Sequence, residues 1–153
     1  MKVKLILFAL MMAGLNVSAQ TKPNYANLEI TIPANYTVND LPESTELTSS
    51  AYTAQWRNLP NILYENNVHR QIIKKWEDET HGRFISAISF TSKGAKMTGK
   101  LYQLKVKEGI RYKIFAYGVV NSQPVVLNLG FEKMPRQNSD LDELMRNFIT
   151  FEK

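Results

Sequence analysis

Between residues 101 and 131 three apolar-rich runs, the first and the start of the second alternating apolar and polar with a period of two, commit the stretch to β-structure. The runs LYQLKV, IRYKIFAYGVV and PVVLNLGF are separated by Lys107-Glu108-Gly109 and Asn121-Ser122-Gln123, both rich in turn formers, so a three-strand antiparallel meander is expected. In the first strand Tyr102, Leu104 and Val106 point one way while Gln103, Lys105 and Lys107 point the other. The second strand opens with Ile110, Tyr112 and Ile114 opposite Arg111 and Lys113, and its outer series then becomes Phe115, Tyr117 and Val119. Both faces are apolar there, which calls for a covering layer, expected to be helical.

The first residues read as a targeting segment. Lys2 and Lys4 form a positive start, residues 5–15 are apolar but shorter than the roughly 20 needed to span a bilayer, and Val17-Ser18-Ala19 is a small-residue cleavage pattern. A signal peptide over residues 1–19 is expected, leaving residues 20–153 as a single α+β domain, periplasmic or secreted, with no transmembrane segment in the mature chain. There is no cysteine, which excludes lipoprotein acylation, disulfides, thiol nucleophiles, cysteine-ligated zinc and iron–sulfur clusters. Removing the two leading lysines lowers Lys plus Arg from 19 to 17 against 14 acids, a mild excess that does not suggest a nucleic-acid partner.

Along the remainder, Leu28, Ile30 and Ile32 alternate with Glu29 and Thr31 up to Pro33, which predicts a strand followed by a turn at Pro33-Ala34-Asn35-Tyr36. Residues 39–44 read as a loop, and residues 52–57 as a second strand with Tyr52, Ala54 and Trp56 on one side. Pro60, capped by Asn58 or Asn61, should open a helix over residues 62–79 with Tyr64, Val68, Ile72, Ile73 and Trp76 along it, stopped at Gly82 after His81. Residues 84–90 form a β-compatible run, and residues 92–99, with Gly94 and Gly99, read as a mobile connection. Finally, Ser139 and Asp142 sit as N-cap and N3 of a helix carrying Leu141, Leu144, Met145 and Phe148 through to Ile149, with Phe151 docked on the core. The expected fold is therefore α+β, a mostly antiparallel sheet of five or so strands with a C-terminal three-strand meander, packed by two helices.

The segment LEITIP, the central helix, the meander YKIFAYGVVNSQPVVLNLGF and the closing LMRNFITFE together resemble the PsbP-like group of α/β/α sandwich domains of exported bacterial proteins. That resemblance implies a domain that binds other proteins or serves envelope complexes, without shared catalytic residues to carry over. A cystatin-like sheet gripping one helix has a similar order of elements.

Four groups are candidates for chemistry. His69 and His81 lie twelve residues apart, without the spacing of a helical metal pair and without a G-x-S-x-G elbow around any serine, so a hydrolase or metal enzyme around them is the least supported class. Glu77, Asp78 and Glu79 are adjacent on a helix and point in three directions, as on a solvated face. Lys93, Lys96, Lys100, Lys105, Lys107, Arg111 and Lys113 form the one local charge asymmetry, opposed within that span only by Glu108. With a turn near Glu108, Lys105, Lys107, Arg111 and Lys113 are expected on one wet face. That face is either a patch for an acidic protein or an anionic lipid surface, or an ordinary edge-protecting lysine face. The aromatics Tyr52, Trp56, Tyr64, Trp76, Tyr102, Tyr112 and Tyr117 read as core or as a pocket lining, with Trp56 and Tyr117 the least core-like and therefore candidate surface anchors. The leading expectation is a non-enzymatic binding protein with a protein partner and no cofactor. The alternative is a small-ligand or lipid carrier with an aromatic-lined pocket.

Overall fold

The computed structural model describes residues 22–153. The expected signal peptide lies outside the described residues.

A seven-stranded antiparallel sheet dominates, larger than the five or so strands expected and joined by a separate two-stranded hairpin. The hairpin is β1 (Asn24–Tyr25) with β2 (Leu28–Glu29). The sheet consists of β3 (Thr37–Asp40), β4 (Thr45–Thr48), β5 (Tyr52–Asn58), β6 (Arg83–Ser92), β7 (Ala95–Val106), β8 (Gly109–Val120) and β9 (Gln123–Phe131), in the order β3-β4-β5-β9-β8-β7-β6. The expected meander is thus present as β7, β8 and β9, and β6 extends it to four strands.

Two corrections concern where strands were expected. Residues 92–99 are not a mobile connection: Lys93 and Gly94 alone make the turn, both at positive φ, and β7 begins at Ala95. Gly99 lies inside that strand because a Cβ would come within 3.0 Å of the Ala116 Cβ and the Phe115 carbonyl, so close strand packing explains the residue. Residues 39–44 are only partly loop, since Asn39 and Asp40 end β3 in a short hairpin with β4.

Strand alternation and register divide the sheet into a closed face and an open face. The closed face presents Leu47, Ala54, Trp56, Leu127, Leu129, Ile114 and Met97, all fully buried. The N-terminal arm covers them with Tyr25 and Ile30, and the C-terminal segment with Leu144, Met145, Phe148 and Ile149. Phe151 docks partly buried on this core, as expected.

The predicted C-terminal helix does not form. Residues 138–149 contain two 3₁₀ turns, Asn138–Asp140 and Met145–Asn147, with Leu141 extended between them at φ −107° and ψ 138°. Side-chain hydrogen bonds divert the backbone. Asp140 Oδ2 accepts the Arg136 and Gln137 N–H groups at 3.0 and 3.1 Å, and Asp142 Oδ1 accepts the Met145 N–H at 2.9 Å. Two tyrosines from across the closed face fasten the segment, Tyr36 donating to Asp142 Oδ2 at 2.6 Å and Tyr52 to the Asp140 carbonyl at 2.5 Å. The apolar spacing marked the buried residues correctly, but a chain pinned by acceptors at 140 and 142 buries them without a helix.

The expected helix over residues 62–79 is broken in two, α1 (Asn61–Glu65) and α2 (Val68–Thr80). Asn67 takes the left-handed conformation, φ 60°, that interrupts them, a geometry asparagine tolerates. Both helices lie on the open face, where Leu59, Ile73, Phe115 and Val126 form a second, smaller core. No helix among the described residues is long and apolar enough to cross a membrane.

Candidate functional site

α2 covers only part of the open face. It is held over β7 by Glu77, which accepts from Lys100 Nζ at 3.1 Å and from the Tyr102 hydroxyl at 2.9 Å. Burial and the Glu77 carboxylate raise the Tyr102 hydroxyl pKa to about 12.

Beyond the helix the open face is polar. A chain of side chains crosses three strands and reaches the loop before β4: Lys113 Nζ donates to Asn128 Oδ1 at 3.2 Å, Asn128 Nδ2 to Gln55 Oε1 at 2.9 Å, and Gln55 Nε2 to Ser44 Oγ at 2.9 Å. At its cationic end lies a hollow of about 220 Å³, lined by Leu104, Val106, Arg111, Lys113, Thr53 and Gly130 among others. Among the described residues Arg111 donates only to the Ser50 carbonyl, at 3.4 Å. Among the described residues no carboxylate lies within 4 Å of either cation. Burial holds the Lys113 ammonium below the usual lysine range, with Glu46 acting weakly in the opposite sense. The hollow therefore combines two unneutralised cations, one of them poorly hydrated, with aliphatic walls, a combination suited to an anionic group on an apolar stem.

The expected four-cation face is split. Lys107 and Glu108 alone form the turn, and Val106 pairs with Gly109, so Lys105 stands beside Ile110, and Leu104 beside Arg111. A three-residue turn would have placed all four cations together; shortening it by one residue moves the partner strand's side chains to the other face. Lys105 is thus on the closed-face side, Lys107 is in the exposed turn, and only Arg111 and Lys113 share the open face.

The two aromatic anchors also part company. Trp56 is a correction: it is 1% exposed on the closed face, edge-on to Tyr25 and 5.2 Å from Phe148, and its Nε1 donates to the Asn24 carbonyl at 2.8 Å. Tyr117 is half-buried on the open face, its ring 4.6 Å from His69.

His69 is buried, stacked 4.2 Å from Tyr64, and its Nδ1 has no hydrogen-bond partner among the described residues. Burial, then the neighbouring Arg70, holds its pKa below the usual histidine value. His81 ends α2 in the left-handed conformation. Twelve residues of helix place them about 18 Å apart along the axis. Asp78 and Glu79 pair outward with Lys74 and Lys75, and no group of three metal-binding side chains occurs among the described residues.

Sequence reasoning missed Gln55, Asn128 and Gly130. A signal was present, since Asn128 is the one polar side chain in the otherwise apolar run of residues 124–131. No protein-family model matches this chain, and a search of curated proteins finds no match.

Proposed function

We propose that the protein is an exported, non-enzymatic binding protein that recognises acidic groups of another protein at the Arg111–Lys113 corner of its open face. The observation that carries this reading is the placement of two half-buried cations in one hollow, with no carboxylate within 4 Å of either among the described residues. A bound carboxylate there supplies the missing counter-charge and the hydrogen bonds that bulk water cannot fully provide. The PsbP-like resemblance stays part of this proposal; an α/β/α sandwich carries helices on both faces of its sheet, and here the two helices lie on the open face.

The test is retention of envelope proteins on the mature chain tagged after Lys153. A protein retained by the wild type and by Lys105→Glu, and lost with Arg111→Glu, is the expected result. Equal retention by Arg111→Glu overturns the assignment.

The aliphatic walls at Leu104 and Val106 favour a second reading, a carrier of a short aliphatic acid. In that case octanoate binds the wild-type chain in calorimetry and octanol does not, with no protein retained in the first experiment.

A further inference from the structure

The outermost strand, β6, is ten residues long and carries no charge and no proline from Phe84 to Ser92. The opposite edge, β3, has four residues and ends on Asp40. Short or charged edges resist pairing with other chains, whereas a long uncharged edge invites it. Pairing has already begun at one end of β6: the Thr91 N–H donates to the Thr150 carbonyl at 3.0 Å, and the Thr150 N–H donates back at 2.8 Å, in antiparallel sense. Because an antiparallel ladder alternates, Ser89 and Ala87 turn their N–H and C=O groups outward as Thr91 does. The regular run stops at the bulge between Phe84 and Ser86.

A second observation concerns the adjoining surface. α2 packs on β8 and β9, which leaves a groove of about 410 Å³ between the helix and β6. Its floor includes Ala87, Phe115 and Tyr117, and its rim carries Lys74 paired with Asp78, Lys100 paired with Glu77, and Arg70, which has no carboxylate within 4 Å among the described residues. Ala87 and Ser89 are small, so side chains of an added strand on the open-face side have a clear path to that rim. Side chains on the other side would meet Ile88.

We propose that β6 is a strand-acceptor edge for an extended segment of a partner protein, one that alternates acidic and apolar residues and adds antiparallel alongside Ala87 and Ser89. The acidic residues face Arg70, and the apolar ones pack on Ile88. Main-chain bonds hold the segment, and the charged rim selects it. This surface shares no lining residue with the Arg111–Lys113 corner, and its test does not depend on that corner.

The probe is an acetylated and amidated (Val-Glu)₄ peptide added to the full chain, with amide hydrogen exchange followed residue by residue. Exchange at Ala87 and Ser89 is expected to slow by about tenfold or more with this peptide and to be unchanged with (Val-Lys)₄. Arg70→Glu, an exposed change that leaves the sheet intact, should weaken the peptide at least about threefold, while Arg111→Glu leaves it unaffected. Ser89→Pro should abolish binding if its thermal transition remains cooperative. No slowing at millimolar (Val-Glu)₄ overturns the proposal. So does slowing that rises with protein concentration in the absence of peptide, which would identify a second copy as the occupant.

Discussion

On the closed face, aromatic and aliphatic side chains from β4, β5, β7, β8 and β9 meet a lid made of two irregular chain segments, and the lid is fastened by tyrosine hydroxyls. On the open face a regular helix covers Phe115 and Val126 and then stops, leaving a polar chain from Lys113 to Ser44 facing solvent. The same strands supply both surfaces. The larger buried apolar cluster lies on the closed face, under a lid that is not regular secondary structure, and the open face is left to carry charge without a carboxylate partner among the described residues.

The sharpest way to break that contrast is Trp56→Ala. It removes a fully buried ring packed on Tyr25 and Phe148, and should cost about 3–5 kcal/mol in urea unfolding. A loss below about 1 kcal/mol, typical of a surface site, would mean that the closed face does not carry the fold. Tyr25→Phe probes the same side more gently. Tyr25 OH and Ser92 Oγ share a 2.6 Å hydrogen bond in the interior, and deleting one partner should cost about 1–2 kcal/mol.

Much of the closed face was legible in the sequence, because alternation and helical spacing both report burial. Tyr52, Ala54, Ile114 and Leu129, and the stripe from Leu141 to Ile149, point inward as their spacing indicates. What spacing does not report is competition from side-chain acceptors. Asp140 and Asp142 turned an apolar stripe of helical period into two 3₁₀ turns, and Asn67 split the central helix. The candidate site was less legible for a related reason: its composition depends on the parity of one turn. Lys107-Glu108 as a two-residue loop separates Lys105 from Arg111, and no count of local charge detects that.

A pH experiment sharpens the comparison from the open side. With the folded-state pKa of His69 below its ordinary value of 6.5, the unfolded chain binds more protons near and below that pH, so stability should fall as pH drops through this range. Arg70, Tyr64 and Tyr117 are the titratable or charged groups facing His69. His69→Phe should reduce the fall in urea midpoint between pH 7.5 and pH 5.5 measured for the wild type. An unchanged fall would show that the decline comes from other groups.

The smallest expected effect on stability is Lys113→Met. Relief of a poorly hydrated ammonium offsets loss of the 3.2 Å bond to Asn128, so unfolding should shift by less than about 1 kcal/mol. A loss above about 3 kcal/mol would make Lys113 a structural residue and end the division of labour between the faces.

The most direct measurement is an amide chemical-shift titration of the full chain with a hexaglutamate peptide at low salt. The proposed corner predicts perturbations concentrated at Thr53, Arg111, Lys113 and Gly130, abolished in Arg111→Glu and retained in Lys105→Glu. Shifts centred on Lys105 and Lys107, or none at all up to millimolar peptide, would contradict it.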